Sequence, residues 1–78
     1  MDDSEYRFLV YQLAGYFSDG TEARYVECYG NSDWTKPTEG PNGAGFISGS
    51  MLVETDTGTV FFYDEEDGWV EQFSFIST

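Results

Sequence analysis

Short runs of aromatic and β-branched residues, each followed by a turn that ends in glycine, most constrain what this chain can fold into. Three such runs occupy residues 46–54, 59–63 and 69–76. The turns between them end in Gly58 and Gly68, as expected where the closing residue takes a positive φ. Because aromatic and β-branched side chains suit a pleated, half-buried surface, the pattern predicts a three-stranded antiparallel meander.

The first part of the chain continues this pattern. Residues 5–17 and 22–29 predict two more strands, joined at residues 18–21 by a turn that contains the hairpin dipeptide Asp-Gly. Residues 5–17 carry apolar side chains at both parities, so we expect a strand covered on both faces, with an amphipathic helix as the alternative. Gly15 within this segment indicates a bulge or a break.

A glycine- and proline-rich stretch, residues 30–45, separates the two halves. Irregular segments of this length in compact domains are commonly functional. Trp34 lies within it and is either a lid on the core or a contact anchor, because Trp is enriched at binding hot spots. Together these patterns predict one all-β domain over residues 1–78, a small antiparallel sheet of about five strands with a long Gly/Pro loop.

The aromatic content is high, with seven Phe, six Tyr and two Trp in 78 residues. A domain this small hides only about 60% of the surface that its unfolded chain exposes. We therefore expect more aromatic surface than one subunit can bury, and we expect the Trp/Phe side of the last strand to face a core or a neighbouring subunit. The candidates for core or interface are Trp34, Phe61, Tyr63, Trp69, Phe73 and Phe75.

Fifteen acidic residues against three basic ones give a net charge of -12. Such a surface repels phosphate backbones and anionic lipids, so we expect neither direct nucleic-acid binding nor membrane binding. No apolar run approaches the roughly 20 residues of a membrane span. The charge favours basic protein partners, or mimicry of nucleic acid with carboxylates in place of phosphates.

The cysteine and histidine content limits the disulfide and acid–base chemistry that the chain can perform. Cys28 is the one cysteine and histidine is absent, so an intrachain disulfide and the commonest general base are both missing. The acidic residues 1–5 lack the positive region of a signal peptide. We therefore expect synthesis in a reducing cytoplasm, with Cys28 as a small half-buried hydrophobe.

Two acidic motifs bear on catalysis and metal binding. Asp56-Thr57-Gly58 matches the tripeptide of aspartic proteases, but that chemistry needs two such aspartates, and here the tripeptide occurs once, in a predicted turn. The acidic residues 64–67 resemble a calcium loop only in composition, because their spacing is not that of an EF-hand. We expect no catalytic residue, no metal and no cofactor, and therefore no enzyme.

The last third of the chain has a characteristic order of motifs. It reads Gly49-Ser50, a strand, Asp56-Thr57-Gly58, a strand that ends in Tyr63-Asp64, a short turn, and Trp69-Val70. This order resembles a module frequent in proteins of tailed bacteriophages, both in small virion-associated proteins and within longer tail-fibre and head-fibre chains. Pieces upstream, including Asp19-Gly20-Thr21 and Lys36-Pro37-Thr38, also resemble small phage proteins encoded near head genes.

The resemblance implies a structural or attachment role in a phage particle. The hypothesis is a non-enzymatic virion structural protein of capsid-decoration, head-fibre or connector type, made in the host cytoplasm. It would dock on other virion proteins or form a homo-oligomer through aromatic β surfaces. The alternatives are an acidic inhibitor or DNA mimic of anti-CRISPR type that binds a basic host protein, and a carbohydrate-binding attachment module that uses Trp34.

Overall fold

In the computed structural model, which describes residues 5–74, the chain forms one six-stranded sheet. The predicted all-β class is confirmed. Within the described range, no helix is long and apolar enough to cross a bilayer, and one 3₁₀ turn, Pro41–Gly43, precedes the third strand. The strands are β1 (Arg7–Tyr16), β2 (Glu22–Gly30), β3 (Gly45–Phe46), β4 (Met51–Glu54), β5 (Thr59–Asp64) and β6 (Gly68–Ser74).

The sheet is mixed rather than wholly antiparallel. Its order is β1-β2-β4-β5-β6, and the short β3 pairs with β2. The three hairpin pairs, β1–β2, β4–β5 and β5–β6, are antiparallel as predicted, whereas β2 pairs with both β3 and β4 in parallel. The reason is the connection over residues 31–50, because a parallel neighbour requires the chain to return to the other end of the sheet.

The predicted strand over residues 46–54 is wrong, because a turn divides it into β3 and β4. Gly49 supplies the positive φ of 97° that this turn requires. Its neighbour Ser50 is fully buried, and its Oγ accepts a bond of 3.1 Å from the Val26 amide. The turn therefore ties the start of β4 to the middle of β2.

The main buried cluster lies on one face of the sheet, and Val60 on the other face is also only 2% exposed. Tyr6, Cys28 and Leu52 are buried in this cluster, and partly buried aromatic side chains pack against them. The register places Cys28 beside Leu52 and Leu52 beside Phe61 across three strands. Residues 31–44 lie over the face that holds this cluster, and we call it the covered face. The partly buried members of the cluster are Phe8, Trp34, Phe61 and Trp69.

The expectation that residues 5–17 form a strand covered on both faces is wrong in one respect. The segment is a strand, but β1 is an outer strand and several of its apolar side chains face solvent. Leu9 is 70% exposed and Tyr16 is 67% exposed, because Leu9 lies at a register irregularity of β1 and Tyr16 is the last residue of that strand. The irregularity predicted at Gly15 is confirmed by a register shift between Leu13 and Gly15.

This one-sided core predicts opposite sensitivities for neighbouring residues of β4. Leu52 is fully buried on the covered face, so Leu52→Ala should lower the free energy of unfolding by about 2–5 kcal/mol. Val53 points to the other face and is half-buried, so Val53→Ala should cost less than about 1.5 kcal/mol. Urea unfolding followed by tryptophan fluorescence measures both, and equal losses would contradict a single core face.

Candidate functional site

An aromatic cluster fills the covered face around Phe46. The Phe46 side chain is buried, and its ring centre lies 6.0 Å from Phe8, 5.5 Å from Tyr63 and 5.9 Å from Trp69. Tyr63 and Trp69 contact each other edge to face at 4.9 Å. Each such pair contributes about 0.5–1.5 kcal/mol beyond burial of area. Tyr63 and Trp69 therefore belong to the interior of the subunit.

Hydrogen bonds from tyrosine and tryptophan side chains hold residues 31–44, the covering loop, on this cluster. Each of three side chains donates a hydrogen bond to a backbone carbonyl of the connection between β2 and β3. Because buried Tyr and Trp need such partners, packing and hydrogen bonding together fix the loop. The bonds run from Trp69 Nε1 to Pro37 O at 2.7 Å, from Tyr6 OH to Asn31 O at 2.9 Å, and from Tyr11 OH to Pro41 O at 3.0 Å.

Trp34 lies as a lid at one end of the core. Its ring is half-buried and meets Tyr6 edge to face, with ring centres 5.9 Å apart. Gly30 allows this approach, since a Cβ there would lie 2.6 Å from the Tyr6 ring and 2.8 Å from Trp34. Packing on Tyr6 and on Gly30 occupies much of the ring surface that a sugar would need.

Two of the three cations in the chain are engaged within the subunit. Lys36 Nζ lies 2.7 Å from Glu54 Oε2 and 4.7 Å from the centre of the Phe61 ring. Arg24 pairs with Glu22 at 2.9 Å on the same face. The third cation, Arg7, is exposed on β1. The basic residues thus offer no continuous positive patch for a phosphate-rich ligand.

Asp56 has a structural role in the Asp-Thr-Gly turn. Its Oδ1 accepts a bond of 2.9 Å from the Ser32 amide, and its Oδ2 accepts one of 2.6 Å from the Ser32 hydroxyl. These bonds to Ser32 lower the pKa of Asp56. The carboxylate therefore joins the turn after β4 to the start of the covering loop, which accounts for it without protease chemistry.

Hydrogen bonds also organise the acidic turn after β5. Glu65 Oε2 accepts from the Ser48 amide at 3.1 Å, while Ser48 Oγ accepts from the Glu65 amide at 3.0 Å. Asp64 accepts from the amide of Asp67 at 3.2 Å. Among residues 5–74, no group of three or more acidic or cysteine side chains is placed to hold a metal ion.

Cys28 is sealed inside the covered face. Its side chain is 2% exposed, which is more burial than the half-buried position expected from the sequence. Burial raises the pKa of the thiol to about 12. Reactive cysteines need thiolate character and access, and Cys28 has neither.

The opposite side of the sheet has no covering layer in the described part of the chain. Because directly paired residues share a face, the register identifies ten residues in two rows that cross all five main strands. We call these ten residues the open face. One row is Val10, Glu27, Met51, Phe62 and Val70, and the other is Arg7, Tyr29, Val53, Val60 and Phe73.

The open face is apolar and nearly free of charge. Eight of its ten side chains are aliphatic, aromatic or methionine, and its two charged members, Glu27 and Arg7, cancel in a chain of net charge -12. Phe62 and Phe73 remain 40% and 47% exposed. Interface cores show this depletion of charge together with enrichment in Phe, Tyr and Met. The open face is therefore the candidate functional site.

The structure divides the candidate residues between the two faces. Phe73 was expected on the same side as Trp69, but a register shift between Val60 and Phe61 pairs it with Val60 on the open face. Phe75 lies outside the described residues. Sequence reasoning missed the apolar partners of Phe73, namely Met51, Val53, Phe62 and Val70, although their alternation with buried neighbours was visible. Trp34, Phe61, Tyr63 and Trp69 all contribute to the covered face.

The burial of Cys28 predicts a slow thiol. At pH 8 the folded protein should react with iodoacetamide at least about tenfold more slowly than the same protein in urea, because the thiolate is scarce and inaccessible. Mass spectrometry over time measures the modified fraction. Equal rates in the two conditions would contradict the buried position.

Asp56 should titrate below its ordinary value of 3.8. Because its pKa is lower in the folded state, its contribution to stability is present above the unfolded pKa and is lost as the pH falls through the folded one. An NMR titration that follows the Ser32 amide should show a transition below pH 3.8, absent in Asp56→Asn. A midpoint at or above the ordinary value would contradict the Ser32 link.

Comparisons with known proteins were made by family, by sequence and by structure. No family model matches the chain, and neither a curated protein nor a solved structure resembles it significantly.

Proposed function

We propose that this chain is a non-enzymatic structural protein of a bacteriophage particle that docks through its open face. The observation that carries the docking role is the open face itself, an apolar and nearly uncharged surface on a strongly acidic chain. The resemblance of residues 49–70 to a module of phage virion proteins supports the particle as the place of docking. Capsid decoration, head fibre and connector are the forms that this role can take.

The size of the open face supports a macromolecular partner. It crosses five strands, which at about 4.8 Å between neighbours make it roughly 19 Å wide. Its exposed apolar side chains are Phe62 at 40%, Val70 at 39% and Phe73 at 47%, whereas Val60, which pairs with Phe73, is buried. A contiguous apolar surface of this kind on a small soluble domain typically marks an interaction site.

The residues that carry the phage resemblance have structural roles in this chain. Gly49 forms the turn before β4, and Asp56 holds Ser32 of the covering loop. Tyr63 and Trp69 pack against each other in the aromatic cluster. The resemblance therefore supports a shared hairpin architecture, and the open face beside that hairpin is the part free to adapt to a particular partner.

An acidic inhibitor of a basic host protein is the second candidate, favoured by the net charge of -12. Mimicry of nucleic acid would need carboxylates in rows on one surface. Here the described acidic residues concentrate in connections at both ends of the sheet, including residues 18–21, 55–58 and 64–68, and the open face holds only Glu27 among them. Carboxylates divided between the two ends of the sheet form no row on one surface, which supports docking over mimicry. Carbohydrate binding has less support, because Trp34 packs on Tyr6.

The virion role predicts that purified particles of the encoding phage contain the chain and that particles lacking it take it up again. Added protein should co-sediment with such particles. Phe62→Lys combined with Val70→Lys should reduce uptake at least about tenfold, because charges enter the contact surface.

Leu13→Lys is the matched control, since Leu13 is 44% exposed but lies outside the open face. This variant should bind particles like the unmodified protein, and circular dichroism confirms that all variants are folded. Absence of the chain from particles, together with failure to co-sediment, would refute the virion role. Equal losses for Leu13→Lys and the double variant would refute the open face as the contact.

A further inference from the structure

We infer that the open face binds a different protein that places a basic side chain opposite Glu27, and that Glu27 keeps a second copy of the chain from binding there. The inference deepens the proposed docking role and rests on it. It identifies the chemistry of the partner surface, which is apolar with one cation within it. Glu27 is then the residue that determines specificity.

Glu27 is the one carboxylate among the ten residues of the open face. It lies directly beside Val10 on β1 and Met51 on β4. Its Oε2 accepts a hydrogen bond of 2.6 Å from the hydroxyl of Tyr25, two residues away on the same strand. Tyr25 thus holds the carboxylate at a defined place among apolar neighbours, and any surface that covers these neighbours must also meet the charge.

A second copy meets this charge unfavourably. Strand spacing of about 4.8 Å and a rise of about 3.3 Å per residue put Glu27 roughly 6 Å from the centre of the open face. A two-fold axis through that centre brings the two Glu27 positions within roughly 12 Å of each other in the plane of the sheet. Excluding water strengthens their repulsion, and each copy also carries a net charge of -12.

Arg7 cannot relieve this repulsion while the apolar surface stays covered. It is the only cation of the open face, and it lies on the outer strand β1 in the other row, paired with Tyr29. A two-fold contact that sets Arg7 on the partner copy's Glu27 has its axis near β1 and β2. Phe62, Val70 and Phe73 then lie beyond the contact, and the most exposed apolar side chains stay in water.

A partner protein that carries a cation opposite Glu27 avoids the repulsion between carboxylates and can still cover the apolar side chains. An arginine or lysine opposite Glu27 replaces the lost water contacts of the carboxylate, while apolar side chains around it cover Met51 and Phe62. Arginine suits such a place best, because its guanidinium is weakly hydrated and binds a carboxylate through two N–H groups. Acidic turns around the open face also favour a partner with a basic rim.

The chain itself can serve as the probe. Glu27→Lys gives a protein with the same apolar surface and a cation in the inferred place. We expect the unmodified chain and Glu27→Lys each to be monomeric alone, and their equimolar mixture to form a 1:1 complex at least about tenfold tighter than either self-association. Sedimentation velocity and native mass spectrometry at low salt measure this, and added salt should weaken the complex.

Control variants distinguish the effect of the position of residue 27 from the effect of the net charge of the chain. Glu66→Lys changes the charge equally but lies in the exposed turn after β5, so its mixture with the unmodified chain should stay monomeric. Glu27→Leu should self-associate, because it removes the repulsion and keeps the apolar surface.

Two results would overturn the inference. One is an unmodified chain that is already a dimer and that Phe62→Lys dissociates. The other is an equimolar mixture with Glu27→Lys that remains monomeric. Absence of the chain from phage particles would refute the virion role and leave this result standing.

Discussion

Coverage of only one face of the sheet is the constraint on which the rest of this structure depends. The connection between β2 and β4 crosses the sheet once and brings the chain back for a parallel pairing. Its carbonyls accept hydrogen bonds from Tyr6, Tyr11 and Trp69, so the layer and the sheet hold each other. Among residues 5–74, the other connections between strands are short turns.

Distribution of charge follows from the same constraint. Carboxylates are stable in turns, where water and backbone amides solvate them, but a carboxylate that loses contact with water costs free energy. Asp56 and Asp64 each accept backbone amides near the ends of strands. Glu54 is a buried carboxylate on the covered face, where Lys36 and Thr57 compensate it at 2.7 Å each. Glu27 on the open face accepts a hydrogen bond from the Tyr25 hydroxyl.

The aromatic residues have two separate roles. Phe46, Tyr63 and Trp69 form an interior cluster, and their edge-to-face contacts require no partner subunit. The surplus aromatic surface that the composition indicated is found instead at Phe62 and Phe73. A single register shift in the last hairpin separates Phe73 from Trp69. The face on which Phe73 lies thus depends on a local irregularity of one strand.

Sequence alone determined the strand class, the hairpin turns and the supply of aromatic residues, because alternation and glycine placement act over a few neighbouring residues. It also determined the net charge of -12. Only the tertiary structure decided which aromatic residues are interior, because that choice depends on where one long connection lies. The division at Gly49, the parallel pairing of β2 with β4, and the shift beside Phe73 all arise from contacts between residues far apart in the chain. The periodicity of side chains along a single strand does not reveal such contacts.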